Sequence, residues 1–173
     1  MSNWRRGGSL VVAGIAAIVG ALSFSPAAIA AAGPFQIQNF GSGLCVQTDP
    51  ASNGPDIQIV QETCDRRNPA QLWFFDTLGG SDYHVVNVGT FNCMRALANT
   101  DRAQVQTIDC TNISDSRWSV AGALPTSVPH QIISRISGGN RCLDVAGGSV
   151  SPGAKIQLFH CTTDNSAQVF TIR

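Results

Sequence analysis

The chain has 173 residues, with eleven basic and eleven acidic side chains and six cysteines. A near-neutral chain without a basic tract lacks the charge that proteins use to bind phosphate backbones or anionic lipid. We therefore expect no nucleic-acid partner and no binding to a membrane surface. The length suffices for one domain with its own hydrophobic core.

The first thirty residues have the order of an export signal peptide. Two adjacent arginines precede the uncharged stretch Leu10–Phe24, and small residues follow up to Ala30. Because signal peptidases accept small side chains, we predict cleavage after Ala30, with cleavage after Ala32 as the alternative. An uncleaved membrane anchor is the competing interpretation, since weakly apolar residues continue far enough to approach the thickness of a bilayer. We expect a secreted, extracellular domain of residues 33–173, exported by a bacterium and not stably inserted in a membrane.

The six cysteines follow a threefold pattern, and an even number in an exported chain predicts disulfides. Members of successive pairs stand 19, 17 and 19 residues apart. An aromatic residue follows the second cysteine of each pair after nine, eight and nine residues, at Trp73, Trp118 and Phe170. An alternating segment precedes each first cysteine. These recurring landmarks predict one structural unit that occurs three times.

Each unit contains four short runs with alternating or β-branched character, which predicts twelve strands and an all-β fold. The predicted strands are Phe35–Asn39, Leu44–Thr48, Ile57–Gln61, Leu72–Asp76, Tyr83–Asn87, Cys93–Ala96, Val105–Ile108, Arg117–Val120, Gln131–Arg135, Arg141–Val145, Lys155–Phe159 and Gln168–Ile172. Four strands cannot bury a face alone, whereas a closed threefold arrangement removes exposed edges and builds one core. The pattern therefore predicts a β-trefoil with repeats at about residues 35–80, 83–123 and 130–173.

Each cysteine pair would join the second strand of a repeat to the end of its third. We predict the disulfides Cys45–Cys64, Cys93–Cys110 and Cys142–Cys161, each of which stabilises the fold by about 3 kcal/mol in the chain-entropy model. Metal binding is the alternative, but no two cysteines stand two to four residues apart, as zinc ligands usually do. We predict neither a metal nor a cofactor.

The chain resembles the ricin B-type lectins, carbohydrate-binding domains that carry Gln-x-Trp once in each repeat. The three matching segments are Gln71-Leu72-Trp73, Ser116-Arg117-Trp118 and Gln168-Val169-Phe170, and the resemblance extends over Phe35–Arg173. It implies that the aromatic ring of each segment lies in the core and that the glutamine bonds to nearby backbone. It also implies a non-catalytic function in binding a glycan or polysaccharide, with galactose-type sugars as candidates.

In that family, a sugar site has an aspartate two residues after the first cysteine and an aromatic residue two before the second. Asp144 and Phe159 stand at these positions in the third repeat. A carboxylate accepts hydrogen bonds from sugar hydroxyls, and a ring stacks on the apolar face of the sugar. The competing interpretation is that Asp144 caps a turn while Phe159 packs on the barrel.

The resemblance extends the candidate site to polar neighbours in the third repeat. Gln157 and Gln168 match accompanying polar positions, whereas Ala167 stands where the family often has an asparagine. Asn165, two residues earlier, is a candidate replacement. The resemblance thus implies one carbohydrate site, whose residues are Asp144, Gln157, Phe159, Asn165 and Gln168.

The other two repeats lack this combination. The corresponding residues are Gln47, Glu62 and Ala70 in the first repeat and Arg95, Ile108 and Asp115 in the second. We predict that both serve as scaffold, with Arg95, together with Asp109 or Asp115, as a weaker candidate for contact with an anionic glycan. A single site predicts weak binding, because lectins gain avidity by linking several sites.

No catalytic motif stands out in the chain. The sequence contains no Gly-x-Ser-x-Gly elbow, no His-Glu-x-x-His helix and no glycine-rich phosphate loop. We therefore predict that the protein is not an enzyme. The alternative function is a protein-binding trefoil, either a toxin delivery subunit or a protease-inhibitor-like module that uses the connection Leu124–Pro129. Under that alternative, the partner would be another protein.

Overall fold

The computed structural model describes residues 32–52, 56–111, 116–126, 128–138 and 141–173. These residues form thirteen β-strands: β1 (Ala32–Phe35), β2 (Ile37–Asn39), β3 (Cys45–Thr48), β4 (Ile57–Glu62), β5 (Trp73–Gly79), β6 (Asp82–Asn87), β7 (Cys93–Ala96), β8 (Val105–Ile108), β9 (Arg117–Val120), β10 (Ile132–Ser134), β11 (Arg141–Val145), β12 (Ile156–His160) and β13 (Phe170–Ile172). Single 3-10 turns lie at Pro69–Gln71, Ile136–Gly138, Ala146–Gly148 and Ser166–Gln168. The predicted signal peptide, residues 1–30, lies outside the described residues. Within the described ranges, no helix has the length and hydropathy needed to cross a bilayer.

Each of the twelve predicted strands coincides with an observed one. The thirteenth arises because the first predicted strand is divided between β1 and β2. Phe35 belongs to the separate strand β1, which pairs with β5, whereas β2 pairs with β13. The change of partner occurs at Gln36, whose backbone N–H donates to the carbonyl of Arg173 at 2.9 Å. The chain thus changes its strand partner from β5 to β13 at the point where the sheet closes.

The first and fourth strands of the repeats form a closed barrel. Antiparallel pairs link β2 to β13, β5 to β6, β6 to β9, and β9 to β10. The pairing of β1 with β5 and a bridge between His130 and Phe170 complete the ring. Closure leaves this layer without an unpaired edge.

The second and third strands of each repeat form hairpins that cover one end of the barrel. The hairpins are β3–β4, β7–β8 and β11–β12. Their third strands meet around the threefold axis, where β4 pairs with β8 and Gln104 bridges to Gln157. A six-stranded barrel with three hairpins is a β-trefoil, which confirms the predicted fold.

All three predicted disulfides are present, one within each repeat. The bridges are Cys45–Cys64, Cys93–Cys110 and Cys142–Cys161, and each joins Cα atoms 5.0 Å apart. This separation lies within the usual range for disulfides. Each bridge ties the second strand of a repeat to the segment that follows its third.

The three aromatic residues of the Gln-x-Trp segments lie in the core with no exposed surface. The indole N–H of Trp73 donates to the carbonyl of Val46 at 3.1 Å, and that of Trp118 donates to Met94 at 2.8 Å. Phe170 has no N–H to donate, so the third repeat lacks this bond. Burial of the rings remains common to all three repeats, and truncating such a ring costs about 3–5 kcal/mol.

Two buried asparagines join successive repeats and hold the segments that precede Trp73 and Phe170. Asn87 donates from Nδ2 to the carbonyls of Ala70 and Leu72 at 2.9 and 3.3 Å. Asn39 likewise donates to the carbonyls of Ser166, Ala167 and Val169 at 3.1–3.2 Å. The first repeat therefore fixes the Ser166–Gln168 turn, which borders the candidate site.

Candidate functional site

A pocket of about 460 Å³ opens on the third repeat. Its lining residues are Arg102, Asp144, Gly147, Gly148, Gln157, Phe159, Asn165 and Ala167. Four of the five predicted site residues thus lie around one cavity, which we call the third-repeat pocket. Its volume falls in the range of about 300–1,000 Å³ that is typical of small-molecule sites.

The carboxylate of Asp144 is held in place by the neighbouring strand. Asp144 on β11 pairs in register with Gln157 on β12, and Gln157 Nε2 donates to Asp144 Oδ1 at 2.8 Å. Only 6% of Asp144 is exposed. Burial raises the pKa of Asp144, although hydrogen bonds from Gln157 and Gln168 act in the opposite direction. An ionised carboxylate offers about four acceptor positions, so these two donors leave capacity for ligand hydroxyls.

Phe159 supplies an apolar wall of the pocket. It stands on β12 opposite Cys142 and is half-buried. Its ring centroid lies 4.5 Å from that of the His160 imidazole, with 36° between the ring planes. A partly exposed ring beside a buried carboxylate matches the pairing of apolar and polar groups that a sugar presents.

Gln168 supports the site from beneath the pocket. The side chain is fully buried, and Nε2 donates to the carbonyl of His160 at 3.0 Å. Its Oε1 accepts from the backbone N–H of Thr162 at 2.9 Å. Gln168 is not among the residues that line the pocket, and a hydrogen bond from its side chain acts to lower the pKa of Asp144.

Asn165 lines the pocket but also forms the turn beside it. Its Oδ1 accepts from the backbone N–H of Ala167 at 3.1 Å, and its Nδ2 donates to Thr162 Oγ1 at 3.2 Å. One amide hydrogen remains for a ligand. Ala167, which replaces the family asparagine, contributes a methyl group to the lining.

Three lining residues were not identified from the sequence as parts of a site. Gly147 and Gly148 adopt φ values of 66° and 61°, and a Cβ added at either position would meet no atom within 4 Å. Arg102 comes from the second repeat, so no pattern within the third repeat could identify it. The signal is its position eight residues before Cys110, where the neighbouring repeat comes into contact.

The corresponding positions of the other repeats are filled by contacts within the protein. Gln47 is 5% exposed and accepts from Gln71 Nε2 at 2.9 Å. Arg95 forms an ion pair with Asp56 at 3.9 Å. Asp109, named together with Arg95 as a candidate for contact with an anionic glycan, forms no ion pair among the described residues, and Asp115 lies outside the described residues. In the described part of the chain, no group of three or more His, Cys, Asp or Glu side chains is arranged to hold a metal.

Comparison with known proteins gives one family and many related folds. The family model for ricin-type β-trefoil lectin domain-like proteins matches residues 24–108 and 69–159. No curated protein matches the chain by sequence.

Three solved structures illustrate the structural likeness. A designed threefold-symmetric protein, ThreeFoil, has a TM-score of 0.71 at 18% identity, covering 80% of this chain and 96% of its own. The Macrolepiota procera ricin B-like lectin in complex with lactose has a TM-score of 0.67 at 17% identity, covering 84% and 97%. The exo-β-1,3-galactanase 1,3Gal43A of Clostridium thermocellum has a TM-score of 0.66 at 21% identity, covering 80% of this chain and 29% of the enzyme. At these identities, the likeness establishes a shared fold.

Proposed function

The chain belongs to the family of ricin-type β-trefoil lectin domain-like proteins, and we propose that it is a secreted, non-catalytic domain that binds carbohydrate in the third-repeat pocket. The observation that carries this proposal is the convergence of the Asp144 carboxylate and the Phe159 ring on one cavity of about 460 Å³. These two groups provide what a sugar requires, an acceptor for hydroxyls and a surface for its C–H face.

Each lining group has a distinct part in the proposed binding. Asp144 accepts hydrogen bonds from adjacent hydroxyls while Gln157 holds its carboxylate, and Phe159 stacks against the ring. Asn165 donates its remaining amide hydrogen. Galactose is the first sugar to test, because one structural neighbour is complexed with lactose and another is a galactanase.

The absence of catalysis in this proposal follows from the acidic groups of the pocket. Glycosidases use a pair of carboxyl groups that flank the scissile bond. Asp144 is the one acidic residue among those that line the pocket. Asp101 lies nearby, but it forms an ion pair with Arg141 at 3.1 Å and a hydrogen bond with the His160 imidazole at 2.9 Å. The galactanase is matched over 29% of its chain, so its activity does not transfer.

Secretion is part of the same proposal. Three disulfides favour an oxidising compartment, and the leader pattern supplies the export signal. Cleavage after Ala30 leaves strand β1 (Ala32–Phe35) complete, whereas cleavage after Ala32 would remove its first residue. N-terminal sequencing of the exported protein distinguishes the two positions.

The test of carbohydrate binding is a glycan array probed with the mature domain. Asp144→Ala and Phe159→Ala are expected to lose binding to the sugar that the unmodified domain recognises. The controls are Arg95→Ala and Glu62→Ala. Arg95 and Glu62 stand at the corresponding positions of the other repeats, so both variants should retain binding. If both third-repeat variants bind as well as the unmodified domain, the site assignment is wrong.

The protein-binding alternative would give a different result in the same experiment. Binding to no glycan, together with tight capture of a protein partner, would favour it. The described part of the Leu124–Pro129 connection is tied to the barrel, since Thr126 Oγ1 accepts from the backbone N–H of Ile172 at 2.9 Å. This attachment gives the connection little resemblance to a free inhibitory loop.

A further inference from the structure

Each hairpin end of the trefoil contacts the next repeat at an equivalent residue. The residues eight positions before the second cysteines are Asp56, Arg102 and Gly153. Arg102 N–H donates to the carbonyl of Leu158 at 2.7 Å, and Gly153 N–H donates to that of Gln61 at 2.8 Å. Leu158 and Gln61 both stand three residues before a second cysteine. Arg102 therefore occupies the third repeat's rim as a regular feature of the threefold architecture.

The second and third repeats have opposite charges at these equivalent positions. In the second repeat, Arg95 stands at the position of Asp144, and Asp56 supplies the rim. These two side chains form an ion pair at 3.9 Å. In the third repeat, the acid lies in the pocket floor as Asp144 and the base at the rim as Arg102. No ion pair among the described residues includes Arg102 or Asp144.

Asp101, which precedes Arg102 in the chain, is bound by other residues. Asp101 forms an ion pair with Arg141 Nε at 3.1 Å and a hydrogen bond with His160 Nδ1 at 2.9 Å. It also accepts from the backbone N–H of His160 at 2.7 Å. Arg102 thus lines the pocket, and its guanidinium has no carboxylate partner in the described part of the protein.

The backbone at Arg102 is unfavourable for a residue with a side chain. Its φ is +65°, and the equivalent Gly153 has φ of +79°. Glycine adopts this left-handed conformation freely, whereas other L-residues adopt it at a cost. A guanidinium placed at this position in spite of the backbone is consistent with a role for the side chain in the pocket.

We propose that the third-repeat pocket selects an acidic sugar, one that carries a carboxylate or a sulfate, with Arg102 binding the anionic group and Asp144 binding hydroxyls. This inference rests on the proposed carbohydrate site and adds its substrate class. A guanidinium presents a fork of N–H donors that matches the oxygens of a carboxylate or sulfate. Arg95 of the second repeat is not available for this role, because it already forms an ion pair with Asp56.

The test compares acidic and neutral forms of the same sugar on the mature domain by calorimetry. Methyl galacturonide is paired with its methyl ester, and galactose 6-sulfate with galactose. If the array selects another sugar, its own acidic and neutral forms replace these pairs. We expect the acidic form to bind roughly tenfold more tightly, as one charge-assisted contact provides. The pair of ligands with the larger difference in affinity, the carboxylate pair or the sulfate pair, identifies the preferred anionic group.

Two substitutions of Arg102 and one matched control separate binding from folding. Arg102→Gln and Arg102→Gly should lower affinity for the acidic form roughly tenfold, so that the acidic and neutral forms bind with similar affinity. Arg102→Gly is expected to fold at least as well, because glycine suits the observed φ. Arg67→Gln removes the same charge from an exposed position of the first repeat and should change neither affinity. Added salt should weaken acidic ligands selectively.

Two results would overturn the inference in different ways. Equal affinity for acidic and neutral forms, lost in Asp144→Ala but unaffected by either Arg102 variant, would reject acid selectivity and leave the carbohydrate site standing. Binding to no sugar of either kind would reject the acidic-sugar site together with the proposed function.

Discussion

Gln157 Nε2 donates to Asp144 Oδ1 at 2.8 Å, across two paired strands of the third hairpin. This contact aims a carboxylate into the third-repeat pocket while most of the side chain stays buried. Burial of Asp144 raises its pKa above the ordinary value of 3.8. Both binding and stability should register that shift.

Sugar affinity should fall on acidification at a higher pH than an ordinary aspartate would give. The ionised carboxylate is the stronger acceptor for hydroxyls, and the raised pKa of Asp144 means that protonation begins earlier. Calorimetric titration with a neutral sugar between pH 4 and 7 measures the effect. A midpoint that coincides with an NMR titration of the Asp144 carboxyl would support the account, whereas affinity independent of pH in that interval would contradict it.

Stability should show the opposite dependence on pH at the same residue. Because the folded pKa of Asp144 is raised from 3.8, the folded state binds more protons than the unfolded state above that pH. The free energy of unfolding therefore decreases as pH rises through the interval between the two values. Relative to Asp144→Asn, the unmodified domain should lose stability from about pH 4 upward. Denaturation of both proteins at several pH values measures this, and parallel curves would be inconsistent with a raised pKa.

Replacing Trp118 with phenylalanine should weaken the fold although the third repeat already uses phenylalanine. Trp118→Phe removes the N–H that donates to the carbonyl of Met94 at 2.8 Å and leaves unfilled volume in the core. We expect a loss of about 2 kcal/mol in the free energy of unfolding. Trp73→Phe, which removes the equivalent bond to Val46, should behave similarly. Losses below about 0.5 kcal/mol would contradict a stabilising contribution from these hydrogen bonds.

Asn87 should be among the least replaceable polar residues of the chain. Besides its two donor contacts, Oδ1 accepts from the backbone N–H groups of Gly89 and Thr90 at 3.0 and 3.1 Å. Asn87→Ala leaves these partly buried groups without their side-chain partner and should cost about 2–4 kcal/mol. Asn87→Ser should cost less, because Ser134 caps the corresponding turn of the third repeat by accepting from Ile136 N–H at 3.3 Å. Chemical denaturation measures both, and equal losses would argue against the cap.

The fold was predictable because its signals repeat within short segments of sequence. The spacing of Cys45 from Cys64, and of its two equivalents, identified all three disulfides. Alternating runs located the strands, and the core aromatics followed from their offsets. The separate strand β1 was missed because pairing at Phe35 depends on which distant strand closes the barrel, which no local pattern encodes.

The site was only partly predictable because its groups come from different repeats. Asp144 and Phe159 stand at family positions and do line one pocket. Arg102 lies 42 residues before Asp144 in the chain and reaches the pocket through a contact between repeats. The pairing of Arg95 with Asp56 arises from the same kind of contact. Such cross-repeat contacts follow from the threefold packing and become visible only in three dimensions.

Backbone NMR of the mature domain with bound sugar locates the carbohydrate site on the trefoil. The mature domain, labelled with nitrogen-15, is titrated with the sugar that the array selects, and the amides whose chemical shifts change are assigned. We predict that the changes centre on Asp144, Phe159 and Asn165, with Arg102 included, and that the equivalent positions Gln47 and Arg95 remain unaffected. Saturable changes centred on the first or second repeat, with the third-repeat pocket silent, would contradict the proposed site.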